Sequence, residues 1–242
     1  RAIDTVIEAV ESARISMERI DGSVRRILAA KASAGLPQRQ FVDLEAVDDN
    51  VGIRAHQQLA RTIAERSITL ARDERNLVPL PASARRILSI AYVGIQDPVA
   101  GGAFNSELRT AGREVMSRRI DQRSGATEFA DLTTRADSAD IVIISMYVSP
   151  VEYSGPMQTA NAFAQFVEQL AVSGKPLIVV SMGSPYVVSS FPSIGTYALA
   201  WGGAPVSQTA VARALLGLAP ITGKMPVSIP PLFVRSQGLS RN

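Results

Sequence analysis

Two serines occupy a position where α/β proteins often carry a nucleophile. In the segment VVSMGSP, Ser181 and Ser184 directly follow the apolar run Leu177–Val180, a pattern that predicts a buried strand leading into a helix. A serine nucleophile would need a base, and the chain has one histidine, His56, in a helical pattern among apolar neighbours. The serines do not satisfy the G-x-S-x-G pattern of a nucleophile elbow. The spacing therefore does not favour a serine hydrolase, and His56 is predicted to be an ordinary helix residue.

The sequence gives little support for a phosphate-binding or metal-binding site. The segment GLAPITGKM differs from a P-loop because five residues separate Gly217 from Gly223 and Met225 stands where magnesium needs Ser or Thr. Gly202-Gly203 could bind an anion through backbone amides, or could simply let the chain turn tightly against a sheet. No G-x-G-x-x-G follows a predicted strand, so a dinucleotide site is not predicted. The chain has no cysteine and one histidine, so zinc or iron would have almost no ligands. We predict no cofactor and no metal.

A carboxylate remains as a candidate. Hydrolysis of a glycosidic bond needs two carboxyl groups flanking the scissile bond, about 5–5.5 Å apart in retaining enzymes. Glu152, in the segment SPVEYSGP with Tyr153, follows the apolar run Ile141–Val148. If that run is a strand, Glu152 lies beyond its carboxyl end, the usual ligand edge of an open α/β sheet. Glu152 is thus a candidate substrate-binding residue, and a solvated loop acid is the alternative.

The composition is that of a globular chain. Of the 242 residues, 46% are hydrophobic and 19% charged, and the formal net charge is +3. The arginine doublets lack interleaved aromatic residues, so no nucleic-acid partner is predicted. No apolar run approaches the roughly 20 residues that cross a bilayer, so no membrane span is predicted either.

From residue 84 onward, strand and helix patterns alternate. The predicted strands are the apolar runs at Ile87–Val93, Val115–Ile120, Ile141–Val148, Leu177–Ser181 and Tyr197–Trp201. The predicted helices between them cover about residues 103–111, 127–137, 158–172 and 206–217. This alternation predicts an α/β fold, a three-layer α/β/α sandwich with a mainly parallel sheet covered on both faces.

The first 83 residues have a different pattern. Amphipathic helices are predicted at 2–14 and 21–34, the second with Asp21 as N-cap, and a third from about Val51 to Arg66. Residues 37–50 have no clear period, and SITLARDERNLVPLP predicts two short extended pieces around a turn. The first helix begins without a capping signal, so we expect the chain to be a fragment of a longer protein.

Four stretches together resemble glycoside hydrolase family 3. In chain order they are AVESARISMERIDGSVRRILAAKASAGL, IAERSITLARDERNLVPLP, GKPLIVVSMGSPYVVSSFP and ALAWGGAPVSQTAVARALLGLAPITGKMPVSIP. The resemblance implies a (β/α)8 barrel followed by an α/β/α sandwich. Residues 1–36 would then be terminal helices of the missing barrel, 37–83 a linker with a helix and a short hairpin, and 84–242 the sandwich domain.

The same resemblance implies what the parent protein does. GSPYVVSSFP and ALAWGGAPVSQTAVARALLG are most similar to the β-N-acetylhexosaminidase branch, a group of retaining exo-glycosidases. In this family the aspartate nucleophile belongs to the barrel, and in this branch a His-Asp pair on a barrel loop is the acid/base. Neither motif is in this sequence, so no catalytic residue is expected here, the chain alone should be inactive, and the Gly183-Ser184-Pro185 turn is interpreted as scaffold.

Two alternatives stay open. In the β-glucosidase branch the sandwich contributes a glutamate acid/base from the loop after its third strand, which is roughly where Glu152 lies, although the surrounding residues do not match that branch. A non-catalytic α/β binding module is the other alternative. The expected partners are a carbohydrate substrate and the chain's own barrel. A second copy of the chain is a further candidate partner, because the apolar stripes within residues 1–36 would need covering.

Overall fold

The computed structural model describes residues 1–39, 41–93, 99–148 and 161–242. The chain divides into two units, Arg1–Arg54 and Ala55–Asn242. The first unit contains the helices α1 (Ala2–Glu11), α2 (Met17–Ser33) and α3 (Val47–Asn50).

Helix α4 (Arg54–Ser67) belongs to the second unit from Ala55 onward. The strands of this unit are β1 (Thr69–Asp73), β2 (Arg86–Val93), β3 (Glu114–Ile120), β4 (Ile141–Tyr147), β5 (Leu177–Ser181) and β6 (Thr196–Leu199). Its other helices are α5 (Gly102–Thr110), α6 (Ala126–Ser138), α7 (Asn161–Val172) and α8 (Pro205–Leu215), with a 3₁₀ helix at Pro185–Ser190. The five apolar runs that the sequence analysis selected all become strands.

The six strands form one sheet in the order β1-β6-β5-β4-β2-β3. Strands β2 to β6 run parallel to one another, whereas β1 pairs antiparallel with β6. Each parallel connection crosses over through a helix, so helices cover both faces of the sheet. The α/β fold with a mainly parallel sheet is therefore confirmed.

The core is split between the two faces of the sheet. Along β4, Ile141, Ile143 and Tyr147 pack beneath α4, α5 and α8, while Val142 and Ile144 pack against α6 and α7. Because both faces are covered, the central strands carry almost no polar residue, and all seven residues of β4 are buried. Because of this burial, the strands are uninterrupted apolar runs that could be recognised in the sequence.

Of the two extended pieces predicted within residues 67–81, the first forms β1 and the second is not a strand. Strand β1 pairs with β6, with Thr69 opposite Leu199. The carboxylate of Asp73 accepts hydrogen bonds from the backbone N–H groups of Leu77 (2.8 Å) and Val78 (3.3 Å). These bonds turn the chain away from β1, so β1 is an edge strand of the sandwich sheet and not part of a hairpin in the linker.

The segment after α8 returns along this edge. Leu239 forms a bridge with Leu70 of β1, and Ile221 forms one with Arg241. The Arg241 guanidinium donates to the Asp73 carboxylate at 2.9 Å and to the Val78 carbonyl at 2.9 Å. The last residues of the chain thereby hold β1 in place.

The amino ends of the strands are joined by an ion pair. The guanidinium of Arg86 on β2 donates to the carboxylate of Asp140, directly before β4, at 2.8 Å. Asp140 also accepts from the backbone N–H groups of Arg85 and Arg86. The hydrogen bonds from Arg86 hold the pKa of Asp140 at about 2, so the carboxylate stays charged at neutral pH.

In the first unit, α2 begins before the predicted N-cap at Asp21. Ser16 caps the helix, and its side chain accepts a hydrogen bond from the backbone N–H of Arg19 at 3.2 Å. Within this unit the side chains of the apolar stripes are exposed, by between 44% for Val6 and 76% for Ile3. Ile7, Val24, Ile27 and Leu28 fall between these values.

Candidate functional site

The candidate site is the edge of the sheet at which the parallel strands β2 to β6 end. Strand β3 lies on one side of β2 and β4 on the other, so the strand order reverses between β2 and β4. Ligands of open α/β sheets bind outside the carboxyl ends of the strands at such a switch point. Glu152 and Tyr153, the candidates from the sequence, lie outside the described residues, so the structure tests neither of them.

In the turn that follows β5, the hydroxyl groups of Ser181 and Ser184 form hydrogen bonds within the turn itself. Ser181 Oγ donates to the Ser184 carbonyl at 2.7 Å, and Gly183 N donates to Ser181 Oγ at 3.4 Å. Ser184 Oγ accepts from Tyr186 N at 3.3 Å and so caps the 3₁₀ helix. Both serines are buried, and His56 is exposed on α4. The geometry gives the hydroxyls a role in shaping the turn.

The hydroxyl group of Tyr197, near this turn, also forms a hydrogen bond within the protein. Tyr197 Oη donates to the carbonyl of Pro185 at 2.9 Å. Burial raises the pKa of Tyr197, and the neighbouring Ser181 opposes that shift only in part. The phenol therefore stays protonated at neutral pH and cannot act as a base.

The Gly202-Gly203 pair lets the chain pass close to β4. A Cβ on Gly203 would lie 3.1 Å from Cδ1 of Tyr147. The preceding Trp201 has a φ of 61°, in the left-handed region, and its indole Nε1 donates to Thr69 Oγ1 at 3.1 Å. These contacts fit the tight-turn interpretation of the glycines.

Tyr147 and Gln208 link three loops at this edge. Gly101, the N-cap of α5, donates its backbone N–H to Tyr147 Oη at 2.8 Å. Gln208 of α8 donates to the Gly203 carbonyl at 2.8 Å and accepts from the backbone N–H of Phe104 at 3.4 Å. The segments after β2, β4 and β6 are thus held together.

Gln208 was not predicted from the sequence. It is fully buried, and three residues later the same face of α8 carries Val211. A glutamine in the apolar stripe of a predicted helix was the available signal, because a buried amide needs hydrogen-bond partners.

A cleft of about 450 Å³ opens at the ends of β2 and β3. Its lining residues are Val93, Arg119, Ile120, Asp121, Arg123, Ser124 and Glu128. The guanidinium of Arg123 donates to both carboxylate oxygens of Asp121, and these bonds lower the pKa of Asp121. Asp121 is therefore ionised and paired at neutral pH, which does not suit a general acid.

The described residues show neither a metal-binding cluster nor a membrane-spanning helix. Among them, no group of three or more His, Cys, Asp or Glu side chains could hold a metal ion. In the same part of the chain, no helix is long and apolar enough to cross a membrane.

Residues 68–237 match the family described as glycosyl hydrolase family 3 C-terminal domain. This chain belongs to that family. The matched range starts at β1 and ends in the segment that returns along it, so it contains the whole sheet.

Relatives and solved structures agree with this assignment. The chain is 29% identical over 230 residues to a β-N-acetylglucosaminidase/β-glucosidase from Cellulomonas fimi, covering 88% of this chain and 39% of that protein. It is 27% identical over 278 residues to a probable β-glucosidase L from Aspergillus terreus, covering 93% and 36%. A family 3 β-N-acetylglucosaminidase from Paenibacillus sp. str. FPU-7 superposes with a TM-score of 0.67 at 26% identity, covering 92% of this chain and 41% of that chain. The family 3 chain thus spans about two fifths of the length of these relatives.

Proposed function

We propose that this chain is the C-terminal sandwich domain of a retaining exo-glycosidase that removes β-linked N-acetylhexosamine. The observation that carries the proposal is the family 3 match over residues 68–237, supported by a relative named for β-N-acetylglucosaminidase and β-glucosidase activity. The stretch GSPYVVSSFP, similar to the hexosaminidase branch, favours the first of these two activities. Its carbohydrate would bind between this domain and the parent's own barrel.

In this proposal the catalytic residues belong to a barrel that precedes the sandwich, and residues 1–36 are its last helices. The described part of the carboxyl edge is consistent with a supporting role. Ser181 and Ser184 shape a turn, and Asp121 is paired with Arg123. The chain alone is therefore expected to be inactive.

A β-glucosidase-like parent is the second candidate, favoured by the relatives that carry that name. The two candidates assign different roles to Glu152. In the β-glucosidase-like parent Glu152 would be the general acid, whereas in the hexosaminidase-like parent the acid/base would come from the barrel.

Replacement of Glu152 by Gln in the longer protein separates these candidates. We expect kcat on an aryl β-N-acetylglucosaminide to stay within about tenfold of the unmodified protein, because loss of a general acid typically costs roughly 10²–10⁴-fold. We also expect kcat/KM to be higher for this substrate than for the matching aryl β-glucoside. Steady-state kinetics on both substrates supply the measurement.

Glu128→Gln, a change of the same chemistry in the cleft at the ends of β2 and β3, is the matched control. A drop beyond tenfold for Glu152→Gln alone, restored by azide or by a more activated leaving group, would assign the protein to the β-glucosidase-like branch.

We further propose that the apolar stripes of α1 and α2 are covered by another surface, from the barrel or from a second copy. Burial of one such side chain is worth roughly 1.5–3 kcal/mol, so exposing both stripes forfeits on the order of 10 kcal/mol. A chain that begins at Val51 is expected to stay folded, because the second unit has its own core, and to sediment with less self-association. Sedimentation velocity and Trp201 fluorescence check both points.

Ile7→Glu in the full chain should also reduce self-association, whereas Thr5→Glu, on an exposed polar residue of the same helix, should not. Unfolding of the truncated chain would show that the first two helices belong to the core of the sandwich.

A further inference from the structure

The two edges of the six-stranded sheet are covered differently. At one edge, β1 is largely buried, and Leu70 forms a bridge with Leu239 of the returning segment. At the other edge, β3 has β2 as its one neighbouring strand in the described part of the chain. Glu114, Ser117 and Arg119 of β3 are exposed. An open edge of this kind is a template on which another extended strand can pair.

The hydrogen bonding of β3 shows which of its backbone groups face outward. The backbone N–H of Glu114 donates at 2.9 Å to the carbonyl of Arg85, directly before β2. Successive residues of a strand direct their N–H and C=O groups to opposite sides. The backbone groups of Val115, Ser117 and Arg119 therefore point away from β2, and they form the outer edge of β3.

Two arginine side chains bind carbonyl groups of this outer edge. The guanidinium of Arg109, in the last turn of α5, donates to the Val115 carbonyl at 3.3 Å. The guanidinium of Arg118 donates to the Ser117 carbonyl at 2.9 Å. Each of these carbonyls must give up or share its bond before it can accept from the N–H of another strand. Charged side chains are a common protection of edge strands against such pairing.

We propose that the outer edge of β3 is a strand-pairing surface for a second copy of this chain, and that Arg109 and Arg118 keep it closed. A second copy fits because antiparallel pairing of two β3 strands about Ser117 is self-complementary. In that register Val115 is opposite Arg119 of the second copy, and both residues direct their backbone groups into the new ladder. No two like charges are directly opposite, a pairing that would be unfavourable.

Sedimentation of the 242-residue chain tests the role of the two arginines. For Arg109→Ala/Arg118→Ala we expect the association constant to rise by about tenfold, because two outward carbonyls lose a competing donor. The matched control is Arg66→Ala/Arg75→Ala, which removes two charges from exposed positions and one bond from Arg75 to the Gly174 carbonyl. Its association constant should equal that of the unmodified chain. Any association through α1 and α2 is common to all of these variants.

Ser117→Pro tests whether the added association uses β3. Proline has no N–H, and it is tolerated on an edge strand where the N–H faces away from the sheet. Added to Arg109→Ala/Arg118→Ala, it should return the association constant to that of the unmodified chain. Hydrogen exchange of the peptide that covers β3 should slow as the concentration of the double variant rises, and should not do so in the triple variant.

Heating with Trp201 fluorescence, from the one tryptophan of the chain, establishes that each variant is folded. If the double variant does not fold, Arg118→Ala alone frees one carbonyl without changing α5, and it should show a smaller rise in the association constant. An association constant no higher than that of the control would overturn the proposal. A rise that Ser117→Pro does not reverse would assign the association to another surface and would overturn it equally.

Discussion

Replacement of Asp73 by Ala is expected to destabilise the sandwich by about 3–5 kcal/mol, the range for removing one partner of a buried ion pair. The carboxylate is fully buried and accepts from four donors: Leu77 N, Val78 N, Thr196 Oγ1 and the Arg241 guanidinium. The variant leaves all four without their acceptor. For a chain of this size the loss corresponds to a fall in Tm of roughly 6–20 °C, measured by Trp201 fluorescence.

Two further variants make this test specific. Arg241→Ala removes one of the four donors and should cost less than Asp73→Ala. Asp137→Ala, at an exposed position of α6, should stay within about 0.5 kcal/mol of the unmodified chain. If Asp73→Ala costs no more than Asp137→Ala, the carboxylate does not hold the edge of the sheet.

The second large effect is expected at Gly223, in the segment that resembles a P-loop only superficially. A Cβ there would lie 2.5 Å from the Ile68 carbonyl oxygen and 2.7 Å from that of Ser67, so backbone must move to admit it. Gly223 N also donates to the Ile68 carbonyl at 3.1 Å. Gly223→Ala should therefore cost at least about 2 kcal/mol through overpacking, measured by chemical unfolding.

Gly125→Ala provides the matched control. Gly125 precedes α6 at a φ of −115°, and a Cβ there would meet nothing within 4 Å. Its unfolding free energy should change by no more than about 0.5 kcal/mol. Equal effects of the two substitutions would mean that the contact between Gly223 and the start of β1 does not constrain the chain.

Local apolar patterns were enough to predict the central strands. β5 was predicted at its observed bounds, because a strand buried on both faces has a short, uninterrupted apolar run. Edge pairing was not predictable in the same way. Strand β1 pairs with β6, whose residues lie more than 100 positions later, and the turn at Asp73 suggested a local hairpin instead.

The candidate site was predicted less completely than the fold. The sequence indicated the edge, since parallel strands place their carboxyl ends together. It did not indicate that Tyr147 would bond to Gly101 or that Gln208 would link the loops, because these contacts depend on how α5 and α8 pack on the sheet. The role of Glu152 stays a prediction.

The central claim is that this chain supplies a family 3 sandwich and not the catalytic groups. Release of 4-nitrophenol from its β-N-acetylglucosaminide, measured side by side for the 242-residue chain and the longer protein, tests it most directly. We predict turnover by the longer protein and, for the chain alone, no release above buffer. Turnover by the chain alone that survives repurification and disappears in Glu152→Gln would contradict the account.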